Sequence, residues 1–96
     1  MPDYRLSRDA QIDLDKIADW GLDNFGMDRA LSYRDSFVNA FERLARHNNL
    51  GSSFGHIRPD SRRLVHGSHV IYYKWIDEQI VIQRILHQSQ DPLRHL

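Results

Sequence analysis

Cysteine is absent from the chain. That excludes a disulfide framework and a thiolate nucleophile, and it suits a reducing cytoplasm. Long apolar runs are absent too. None approaches the roughly 20 residues that would span a bilayer, so no membrane association is expected, and Met1-Pro2-Asp3-Tyr4-Arg5 has no apolar core of the kind a signal peptide carries. Net charge is also missing, because 13 Lys and Arg balance 13 Asp and Glu. Tight non-specific nucleic-acid binding needs many phosphate contacts, so direct nucleic-acid binding is not expected. No phosphate loop, internal repeat or low-complexity segment is found.

What is present fits one domain spanning residues 1–96. A chain of this length buries only about two-thirds of the surface its unfolded form exposes. Its core is thin, and a bound partner adds stability by mass action. Apolar residues make up 41% and charged residues 27%, which places the chain among ordinary globular domains. The charge is unevenly spread. The first half is acidic through Asp9, Asp13, Asp15, Asp19, Asp23 and Asp28. The second half carries Arg58, Arg62, Arg63, Lys74, Arg84 and Arg94, together with His56, His66, His69, His87 and His95.

Tyr4-Arg5-Leu6-Ser7 has the composition of a short strand. Ser7 or Asp9 can cap the helix that follows. Ala10, Leu14, Ile17, Gly21 and Phe25 recur at three- and four-residue steps and draw an apolar stripe down that helix. Gly26 stops it by taking a left-handed conformation. A second helix is predicted from about Asp28, its cap, with Ala30, Tyr33, Phe37, Phe41 and Leu44 as its stripe. The short connection makes the pair an antiparallel hairpin. Gly51 to Asp60 reads as a loop. Arg62–His66, His69–Ile76 and Gln79–His87 read as a three-strand meander, turned at Gly67-Ser68 and at Asp77-Glu78. Asp91 and Pro92 open a last helical turn. The expected fold is α+β with the order βααβββ: a helical hairpin on a small antiparallel sheet, with the N-terminal strand at an edge.

Few residues point to chemistry. His66 and His69 flank a turn, but a zinc site needs three or four convergent ligands, so no metal and no cofactor are expected. Ser52, Ser53 and Ser68 read as turn residues. Arg84 lies in a strand, between Ile82 and Leu86 on one face by alternation, and needs either an aspartate of the first helix or a partner. Tyr73 and Trp75 alternate to one side and Tyr72 to the other, so at least one side is core. Trp20 lies off the first helix's stripe, and exposed tryptophans favour protein interfaces.

These residues, taken in order, resemble the ParE toxins of the ParE/RelE superfamily from bacterial type II toxin–antitoxin modules. The resemblance is carried by Tyr4–Ser7, Ala10, Asp13-Leu14, Ile17, Phe25-Gly26, Leu44-Ala45, Leu50-Gly51, Arg58, Arg63-Leu64, Gly67–Tyr73, Ile82, Arg84–His87 and Asp91-Pro92. It implies a bacterial cytoplasmic toxin without catalytic residues, working in plasmid stabilisation and growth arrest. Such a toxin inhibits DNA gyrase by binding, and a ParD-like antitoxin neutralises it in a hetero-oligomer. On this reading Arg63, Arg84, His87 and Arg94 face the target, while Trp20, Tyr33, Phe37, Phe41, Tyr73 and Trp75 receive the antitoxin. The tail departs from many relatives, which place an arginine soon after the counterpart of His87; Gln88, Ser89 and Gln90 supply none. The superfamily's other branch resembles RelE, a ribosome-dependent mRNA endonuclease. Its chemistry needs a cationic clamp at the scissile phosphate, which this chain lacks, although His95 could serve as a proton donor. A toxin that only binds its antitoxin is the remaining alternative.

Overall fold

Ser7 begins the helical half. In the computed structural model, which describes residues 3–55 and 58–96, its side-chain oxygen accepts the Ala10 N–H at 3.0 Å and caps helix α1, Arg8–Phe25. Gly26, at φ 86° and ψ 171°, both ends α1 and precedes helix α2, Met27–Arg46. Its positive φ suits glycine, but its ψ is extended rather than left-handed helical. A single residue therefore joins the helices as a hairpin. No side chain caps α2. Asp28 lies inside the first turn instead, where a carboxylate favours the helix dipole without holding a cap hydrogen bond. Where the two helices cross, Gly21 meets Ala30; a Cβ at Gly21 would lie 3.4 Å from the Ala30 Cβ.

The sheet contains β1 (Tyr4–Leu6), β2 (Ser52–Ser53), β3 (Arg62–His66), β4 (His69–Ile76) and β5 (Gln79–His87), in the spatial order β1-β5-β4-β3-β2. The meander and the edge position of β1 match expectation. The sheet itself is mixed rather than antiparallel, because β1 runs parallel to β5. A three-residue edge strand offers ladder groups for either direction. Here the direction follows from the exit into α1, where Ser7 N–H donates to the Ile82 carbonyl at 2.8 Å. β2 was expected to be loop. It is two exposed residues long, too short to show a period, and it pairs with Arg62 and Arg63.

Gly67 has φ 59° at the first central position of the β3–β4 turn, the type II′ pattern. Asp77 and Glu78 turn β4 into β5 with φ 50° and 60°, the type I′ pattern, although neither is glycine. A register shift in β5 leaves Gln83 unopposed: Tyr72 pairs with Arg84 and Tyr73 with Ile82. This bulge breaks the alternation expected for Ile82, Arg84 and Leu86. Ile80, Ile82 and Ile85 join the main core beneath the helices with Leu14, Phe37, Phe41, Leu44, Ile71 and Tyr73. Leu86 joins Phe54, Tyr72, Val70 and Leu96 in a smaller cluster on the other face. Both faces of the sheet are thus partly core. Helix α3, Pro92–His95, capped by Asp91, brings Leu96 to the smaller cluster.

Candidate partner-binding groove

Asp13 secures the bulge. Its carboxylate accepts from Arg84 Nε at 2.8 Å and Arg84 Nη2 at 2.9 Å, and also from the Ile85 backbone N–H at 2.9 Å. Ser7 Oγ donates to the Gln83 carbonyl at 2.8 Å. The polar groups that the bulge removes from the ladder are thus taken up by α1. Arg84 Nη1 also donates to the His95 carbonyl, tying α3 to the same point. The hydrogen bond to Asp13 holds the Arg84 guanidinium above its ordinary pKa, against the opposing effect of burial.

A groove of about 1000 Å³ runs between the C-terminal half of α1 and the N-terminal half of α2. Its apolar lining is Ile17, Trp20, Gly21, Phe25 and Ala30. Trp20 and Phe25 form an edge-to-face pair with ring centroids 5.4 Å apart, yet remain 60% and 54% exposed. Two large aromatic rings left this open are unusual for a surface with no partner.

Histidines close the other end of the groove. Tyr33 OH lies 2.8 Å from His69 Nδ1, and Ser36 Oγ lies 2.8 Å from His66 Nε2. The His66 ring packs on Phe37 with centroids 4.5 Å apart. His69 and His87 are register partners, their rings edge-to-face at 5.4 Å. Burial pushes His66 below the ordinary histidine pKa, and Arg43 adds to this. Burial does the same to His69, with His87 and His66 adding to it. Gly67 fits against this cluster because a Cβ there would come within 2.9 Å of Tyr33 OH. Among the described residues, no group of three or more His, Cys, Asp or Glu side chains is placed to hold a metal ion, and no helix is long and apolar enough to cross a membrane.

Hairpin, bulged sheet and open aromatic groove together define a small α+β domain with a helical hairpin on one face of its sheet. A family model described as ParE toxin of type II toxin–antitoxin system, parDE, matches residues 4–92. Toxin ParE1 of Caulobacter vibrioides is 35% identical over 96 residues, covering 100% of this chain and 99% of that protein. Toxin ParE1 of Mycobacterium tuberculosis is 36% identical over 94 residues, covering 97% and 96%. A solved structure, the chromosomal ParDE TA system from P. aeruginosa, superposes with a TM-score of 0.78 at 25% identity, covering 91% of this chain and 96% of that one. The chain belongs to the ParE toxin family of type II toxin–antitoxin systems.

The structure separates the residues that were expected to face partners. Trp20 and Tyr33 line the groove. Trp75 is exposed near the far end of β4, beside Asn48, Asn49 and Arg62 and away from the groove. Phe37, Phe41 and Tyr73 are fully buried and offer nothing to an incoming chain, a correction to their expected place on the antitoxin surface. The first two face the sheet. Tyr73 reaches under the loop, where its hydroxyl accepts from Gly51 N–H at 2.9 Å and donates to the Asn48 carbonyl at 3.1 Å. Among the residues expected to face the target, Arg63 is exposed, with its guanidinium 5.3 Å from the Phe54 ring centroid on the smaller cluster's side. Arg94 is exposed on α3. Arg84 is occupied by Asp13, and His87 lines the groove. His56, counted among the histidines of the basic half, and Met1-Pro2 lie outside the described residues. Sequence reasoning missed Lys16 and Arg29, which also line the groove. The mid-helix Gly21 was the available signal, since such a glycine marks a close approach.

Proposed function

We propose that this toxin stops growth by binding DNA gyrase, without catalysis of its own, and that a co-encoded ParD-like antitoxin silences it by occupying the groove between α1 and α2. The observation that carries the antitoxin half of this reading is the exposed Trp20–Phe25 pair over the apolar lining of the groove. An amphipathic segment laid there buries both rings, the usual geometry of a helix received in a groove. The solved relative described as a ParDE system agrees with an antitoxin partner. Gyrase as the target rests on the family to which the chain belongs. We assign the target-facing role to Arg63 and Arg94, which of the expected four are the two exposed outside the groove. Arg84 supports that face through Asp13 and the His95 carbonyl.

A supercoiling and cleavage assay with purified gyrase tests the proposal. Added toxin should block supercoiling or trap cleaved DNA, and prior mixing with the antitoxin should restore normal turnover. Unchanged gyrase activity at saturating toxin would overturn the choice of target.

A further inference from the structure

The closed end of the groove has a chemistry that its apolar lining does not explain. Tyr33 OH engages His69 Nδ1, and Ser89 Oγ engages His87 Nδ1, each at 2.8 Å. Both rings are thereby oriented through the same nitrogen, and neither Nε2 has a hydrogen-bond partner among the described residues. The two rings stand edge-to-face at the groove wall. The charged and titratable groups that line the same groove are Lys16 from α1, Asp28, Arg29 and Tyr33 from α2, and His87 from β5, while His66 of β3 acts on His69 from behind. Two fixed cations face one carboxylate, so the groove is net positive even with every histidine neutral.

We infer that this end of the groove receives a carboxylate side chain of the antitoxin segment between the Nε2 edges of His69 and His87, so that docking takes up a proton and tightens as the medium becomes more acidic. The inference rests on the groove being the antitoxin's seat. An apolar segment fills the Trp20 end, and an acid at its other end meets Lys16, Arg29 and the two imidazoles.

The sign follows from linkage. In the free toxin, burial and the neighbouring histidines keep His69 below its ordinary pKa and favour the neutral ring. A docked carboxylate favours the imidazolium and raises that pKa. The complex then binds more protons than its separated parts as pH falls through the bound-state pKa. Affinity rises over that window and levels off once the free toxin is protonated as well. One proton taken up gives a limiting slope of about ten-fold in Kd per pH unit.

The test uses the full chain and the antitoxin encoded beside it, titrated by calorimetry from pH 5.5 to 8.5 in two buffers of different ionisation heat. The expected result is a Kd that falls several-fold from pH 8 to pH 6, with net proton uptake. In His69→Gln and in the exposed His87→Gln variant the pH dependence should flatten. If His69→Gln fails to fold, His87→Gln carries the test alone. A flat Kd for the natural toxin overturns the inference, as does a slope that survives in the variants. Binding that is indifferent to Trp20→Ala overturns the groove as the seat, a separate failure.

Discussion

Asp13 serves three donors at once, and its two partners differ in how they can be replaced. If Arg84 is lost, Asp13 keeps the Ile85 N–H and can turn to water. If Asp13 is lost, the result is a guanidinium and a backbone N–H in a half-buried niche. Asp13→Ala should therefore cost about 2–3 kcal/mol and Arg84→Met less than half of that, as read from denaturant unfolding at neutral pH. Equal losses would mean that the backbone bond adds nothing. The histidines make a second prediction at this scale. His66 and His69 are held below their ordinary pKa in the folded chain, so the unfolded chain binds more protons. Stability should be complete above about pH 7 and decline as pH falls through the unfolded histidine range near 6.5. The slope is at most about 1.4 kcal/mol per pH unit for each ring. Unfolding measured at pH 7.5 and 5.5 should show this, and His66→Gln combined with His69→Gln should remove much of it.

The turns and the bulge set the geometry of the strands. Asp77 and Glu78 both occupy positive φ, which costs an ordinary side chain free energy that Asn-Gly avoids. Replacing Asp77→Asn together with Glu78→Gly should raise stability by about 0.5–1 kcal/mol, measured as an upward shift of Tm. The hairpin and meander were legible because each element carried its own period or turn residue: the 3–4 spacing from Ala10 to Gly21, Gly67-Ser68, and the β-branched run in β4. The bulge was not legible. Nothing local to Gln83 and Arg84 signals it; it exists because Ser7 and Asp13, far away in sequence, supply its missing hydrogen bonds. That one inserted residue is why Ile82 and Ile85 share a core, against the alternation the sequence suggests. β2 escaped notice for a simpler reason, since two residues have no period.

At the scale of the molecule, the aromatic residues divide into two populations that composition alone does not distinguish. Phe37, Phe41 and Tyr73 hold the core, whereas Trp20 and Phe25 stand open over the groove. Helical spacing placed Phe25 on the buried stripe. It is instead the last residue of α1, beside the turn at Gly26, and stays 54% exposed. Trp20→Ala should thus weaken antitoxin binding by about 10–100-fold, in the range of an interface hot spot, with little change in Tm. Phe37→Ala should cost about 3–5 kcal/mol and abolish binding by unfolding. Titration alongside thermal melts separates the two outcomes. One consequence of the strand order concerns synthesis. β5 lies inside the sheet, and Ser7 bonds to Gln83, 76 positions later. A nascent chain cannot complete its sheet until β5 has left the exit tunnel. Growing polypeptides of this toxin should therefore be harmless, and sensitive to proteases, until β5 has emerged.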